Sequence, residues 1–172
     1  MEDIKKMINE CYKAENPIAK NITEEEFPEL VNNLRERLNT TQTILDLTPD
    51  SLNKLAKLLM SYYKVWNLSG KSITNNEVLK IIREISAYFG QTILSHTDGK
   101  LHSVNNSILG TEIIFQRTTK AKKGDIEITS QNAVISLGQI GAGTWSAIVK
   151  GIEPKLLRSY QIATAKNVKE FH

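Results

Sequence analysis

Two of the chain's three histidines, His96 and His102, lie six residues apart around Asp98-Gly99. Imidazole titrates near neutral pH and ligates metals, so this is the first place to look for chemistry. The geometry depends on the turn between them. Asp98-Gly99 is a good hairpin pair, and side chains on a strand alternate between faces. A two-residue loop pairs His96 with Leu101 and sends the histidines to opposite faces. A three-residue loop, Thr97-Asp98-Gly99, with a bulge pairs His96 with Lys100 and sets both on one face. Only the second register supports a joint proton or metal role, and an enzyme using His96 or His102 with Asp98 is one alternative reading of the chain. No cysteine or further histidine stands nearby to complete a zinc set, and no metal site or cofactor is expected.

Three other groups carry chemical potential. Gly138, Gly141 and Gly143 form G-x-x-G-x-G within SLGQIGAGT. The order is not that of the dinucleotide fingerprint, and no Gly-Lys-Ser/Thr of a P-loop is present. A glycine-rich turn or loop is expected, with Gly141 and Gly143 as a candidate binding lip, since close backbone approach needs glycine. Lys120, Lys122 and Lys123 make a basic loop within TTKAKKG, a candidate site for an anionic ligand or nucleic acid. Tyr62, Tyr63 and Trp66 are spaced as a helical core stripe, with an aromatic ligand box as the alternative.

Other residues read as structural. Cys11 falls in an apolar stripe and reads as a buried, inert thiol. Glu24, Glu25 and Glu26 are consecutive, and helical neighbours diverge by about 100°, so they do not converge on one ion. They suit the positive end of a helix. No Gly-x-Ser-x-Gly and no His-Glu-x-x-His occurs, and no catalytic residue is assigned.

The elements that must hold these groups follow from periodicity. Ile4, Met7, Ile8, Cys11 and Tyr12 mark a helix over about 2–14, stopped by Asn16-Pro17. Thr23 and Glu26 have capping-box spacing ahead of the stripe Phe27, Leu30, Val31, Leu34 and Leu38. Thr48-Pro49-Asp50-Ser51 starts a third helix. Its wide stripe, extended by Leu58 and Val65, makes it the expected centre of the helical layer. Thr74 and Glu77 cap a fourth, with Val78, Ile81, Ile82, Ile85 and Phe89 inward and Lys80, Arg83 and Glu84 on the other side. Gly90 is placed to end it, and Thr92 to Ser95 suit a strand leading into the Asp98-Gly99 hairpin. Strands are expected at Thr111–Arg117, Asp125–Thr129, Ala133–Leu137 and Trp145–Lys150, then a closing helix over about 154–168.

The 172 residues are 40% hydrophobic and 24% charged, ordinary for a globular chain. Net charge is +3, divided as −2 over the first 70 residues and +5 over the rest, which permits an anionic partner without demanding one. The lone cysteine excludes an internal disulfide and fits a reducing compartment. No apolar run approaches the ~20 residues that span a bilayer, and no signal peptide is evident, so a cytoplasmic location without membrane contact is expected. The fold class is therefore α+β, with N-terminal helices packed on a mostly antiparallel sheet. One domain is expected over 1–172, residues 1–46 being a helical extension and 47–172 the core.

The segment Leu47-Thr48-Pro49-Asp50-Ser51-Leu52 is followed about thirty residues on by Ile82-Arg83-Glu84-Ile85-Ser86-Ala87-Tyr88-Phe89-Gly90, then by Asp98-Gly99-Lys100. Over about 47–104 this resembles a pattern in small bacterial proteins of unknown function, some regarded as immunity or accessory partners in toxin systems. Leu101 stands where those sequences often carry an aromatic. The resemblance implies a non-enzymatic chain whose partner is another protein, and it carries over no catalytic residue.

Overall fold

A computed structural model describes residues 1–117, 121–123, 126–128 and 131–165. The fold is α+β, with six α-helices and a three-stranded antiparallel sheet among the described residues. The helices are α1 (Glu2–Lys13), α2 (Phe27–Arg37), α3 (Ser51–Leu68), α4 (Asn75–His96), α5 (Leu137–Val149) and α6 (Leu156–Thr164). The strands are β1 (Lys100–Ser103), β2 (Thr111–Arg117), β3 (Ala121–Lys123), β4 (Ile126–Ile128) and β5 (Gln131–Ser136).

Helices α2 and α4 begin at the expected caps, whereas α3 begins at Ser51 after Asp50, and the Thr48 hydroxyl expected to cap it donates instead to Asp46 at 2.6 Å. The Thr74 hydroxyl accepts from the Glu77 amide at 3.2 Å and opens α4. The Glu26 carboxylate accepts from the Thr23 amide at 2.8 Å, in a short 3-10 turn leading into α2. Helix α1 ends at a left-handed Glu15, where the Asn16 amide reaches back to the Cys11 carbonyl at 3.0 Å. Helix α2 ends in the same way at Asn39.

The centre of the molecule is α4 rather than α3. All ten residues 81–90 are buried, so this helix is enclosed on every side, packed chiefly against α2 and α5. The expected width of the α3 stripe fails at its end, where Val65 is 70% exposed. The expected stop at Gly90 and the strand over Thr92 to Ser95 are both overturned: α4 runs through to His96. A Cβ on Gly90 would lie 2.7 Å from Leu137 Cδ1 and 3.2 Å from the Phe27 ring. The glycine admits two neighbouring side chains and caps nothing. Thr92 stays helical by donating its hydroxyl to the Tyr88 carbonyl at 2.8 Å.

The expected hairpin around Asp98-Gly99 is absent, because that turn joins α4 to β1. Strand β1 pairs instead with β2, and β2 with β5, in the order β1-β2-β5. Ile113 and Phe115 are buried on the sheet's inner face, on the side of α5. Val134 on the outer face is 54% exposed. The strands expected within Asp125–Thr129 and Ala133–Leu137 are found as β4 and β5, while residues 125 and 129 lie outside the described residues.

The expected glycine-rich loop and the strand Trp145–Lys150 are corrected to one helix, α5. The Ser136 hydroxyl caps it by accepting from the Gln139 amide at 3.4 Å. It ends at Gly151, whose φ of 73° closes the turn, with the Ile152 amide bonded to the Ala147 carbonyl at 2.9 Å. The closing helix is present as α6, with Leu156 and Tyr160 buried and Ile162 47% exposed. Residues 1–46 supply Ile8, Ile22, Phe27, Val31, Leu34 and Leu45 to the same buried cluster as α4 and α5.

Candidate functional site

The two histidines do not form a pair. His96 ends α4, and its Nε2 lies 3.0 Å from the Leu47 carbonyl oxygen. His102 sits in β1 directly across from Glu112 of β2, with Nδ1 3.1 Å from Oε1. Both alternative hairpin registers lapse, since the segment before the turn is helix. Among the described residues, no group of three or more His, Cys, Asp or Glu is placed to hold a metal ion.

His96 belongs to a backbone bracket. Leu47 is held at φ 62°, a costly conformation for a leucine. Its amide donates to the Tyr88 hydroxyl at 3.0 Å, while its carbonyl meets His96. Ser51 donates its single hydroxyl proton to the Thr48 carbonyl at 2.6 Å. Tyr88 must therefore donate to Ser51 Oγ, 2.6 Å away. Burial pushes the Tyr88 phenol above its ordinary value, opposed by the Ser51 hydrogen bond. These bonds tie the connector between α2 and α3 to the middle of α4.

Gly141 and Gly143 lie in α5 and form no lip. A Cβ on Gly141 would run into Ser86 Oγ and the Ile82 carbonyl, so this glycine sets how closely α5 crosses α4. The Ser86 hydroxyl uses that proximity to donate to the Leu137 carbonyl at 2.9 Å. Gly143 faces the Met1 sulfur, 3.3 Å from where a Cβ would stand. Lys122 and Lys123 lie in β3, opposite Glu127 and Ile126 of β4. Lys120, with the rest of 118–120 and residue 124 of the expected basic loop, lies outside the described residues.

The aromatic group divides: Tyr62 and Tyr63 pack partly on the core, and Trp66 does not join them there. Tyr63 meets Trp145 edge-on, with centroids 5.5 Å apart. Trp66 donates its indole N–H to the Lys71 carbonyl at 3.0 Å. Cys11 is half-buried, with its sulfur 3.9 Å from that of Met7.

The densest polar cluster is one the sequence reading placed on the solvent side. Glu84 is buried, and its two oxygens take Arg37 Nε at 2.6 Å and Nη2 at 3.0 Å. Arg37 Nη1 reaches Tyr62 OH at 3.2 Å and Glu77 Oε2 at 3.3 Å. Burial by itself lowers the Arg37 pKa; the bonds and charge of Glu84, with Tyr62, outweigh it, so the guanidinium is held above its ordinary value. Lys80 bonds to Glu77 at 3.1 Å and, with Arg37, holds that carboxyl below the usual range against the effect of burial. Arg37, Tyr62, Lys80 and Glu84 line an open recess of about 510 Å3 between α2, α3 and α4, together with Asn33 and Glu36.

Arg83, the neighbour of Glu84, is also buried. It donates to the carbonyls of Ile18 and Lys20 and to Glu26 Oε1, the last at 2.7 Å. Two adjacent charges of α4 thus seize two different parts of the first 46 residues. The available signal was their setting: Arg83 and Glu84 are the only charges in a run of ten otherwise uncharged residues, 81–90. Buried charges survive only when paired.

The described residues of the sheet end in a ribbon. Beyond Ile114, β2 pairs among the described strands only with β5. Strands β3 and β4, which follow β2 and precede β5, pair in the same antiparallel sense, one residue offset in register. Among the described residues the two ladders are separate, a three-stranded sheet and the two-stranded β3–β4 ribbon. Compared with protein-family models, curated proteins and solved structures, the chain finds no match.

Proposed function

We propose that this chain is a non-enzymatic bacterial cytoplasmic protein that acts by binding another protein, as an immunity-like or accessory partner. The observation that supports the reading is the β3–β4 ribbon, which pairs with no third strand among the described residues. A hairpin of two strands is marginally stable in water, and an unpaired edge offers a row of N–H and C=O groups to another chain. Adding a strand to such an edge is a common way to take up a protein partner. The groups with chemical potential serve elsewhere: Arg37, Glu84, Arg83 and Tyr88 all have their partners inside the fold.

The test is a tagged wild-type chain and an Ile126→Pro variant, each cross-linked in lysate of the native host. A specific protein retained by the wild type and lost with the variant is the expected result. Retention of nothing specific by the wild type, or equal retention by both, overturns the proposal.

A second reading is favoured by the adjacent Lys122 and Lys123 in β3 of the same ribbon, with Lys120 before them in the sequence: an anionic or nucleic-acid ligand. Binding to a DNA duplex that falls steeply with added salt, and is lost in Lys122→Glu/Lys123→Glu, would support it. Salt-insensitive binding would dismiss it.

A further inference from the structure

We draw no further inference here: the strongest candidate, the open recess between α2, α3 and α4 above the Arg37–Glu84 ion pair, carries nothing because its floor charges are matched within the fold and nothing in the structure shows what would fill it.

Discussion

Glu84 shows how a residue's role follows from its surroundings. On an exposed helix face a Glu–Arg pair is worth at most about 1 kcal/mol. Here both partners are largely out of water, with side-chain exposures of 15% for Arg37 and 5% for Glu84. Deleting one partner strands the other charge. Glu84→Ala is expected to cost about 3–5 kcal/mol in urea unfolding, whereas Arg37→Met/Glu84→Leu recovers most of that loss. His102→Ala, at an exposed pair, should change stability by under about 1 kcal/mol. Tyr88 sets a pH prediction. Its folded pKa is raised above the unfolded value of 10.0, so its contribution is fully present below pH 10. It is lost as pH rises from there through the folded value, because the unfolded chain ionises first. The urea midpoint should fall above pH 10, and Tyr88→Phe should flatten that fall.

Among the elements, α5 gives the sharpest test. Its glycines look like a loop until their opposite neighbours are known. Gly141 faces the Ile82 carbonyl, a backbone atom that cannot rotate away. Gly141→Leu should push α5 off α4 and cost at least about 1–3 kcal/mol, seen as a lowered Tm with loss of near-ultraviolet circular dichroism from Trp145. Ser136→Ala removes only the cap and should cost about 1 kcal/mol. The edge strand β1 is four residues long and carries Lys100. Shortness and an edge lysine are common guards against unwanted pairing. Such guards leave the β3–β4 ribbon as the more available edge among the described strands.

For the whole molecule, the position of the first 46 residues matters most. Read from sequence they are an extension, yet Phe27, Val31 and Leu34 pack in the common core while Arg83 and Glu84 grip Glu26 and Arg37. Each buried large apolar side chain is worth about 1.5–3 kcal/mol, which exceeds what a marginal domain can lose several times over. A chain beginning at residue 47 should therefore bind the dye ANS and lack a cooperative thermal transition. A sharp transition in that fragment would show that the core of 47–172 stands alone.

The starts of α2 and α4 were legible because a cap is a local event, in which Thr74 and Glu77, or Thr23 and Glu26, find each other within one turn. The stripes of α1 and α2 were legible because one side of each meets water, and periodicity is the record of that boundary. Residues 137–149 were not, since a segment enclosed on most sides loses its polar face and a short apolar run then reads as strand or helix alike, and residues 91–96 were not, since Gly90 reads as a stop and Thr92-Ile93 are β-branched. The partner of Glu84 was hidden too, 47 residues away in the chain. Sequence alone determined the class of fold and the caps ahead of α2 and α4, because those depend on neighbours a few residues apart. Tertiary structure decided which glycines are contacts, which charges are buried and where the sheet begins, because those depend on what another element places opposite.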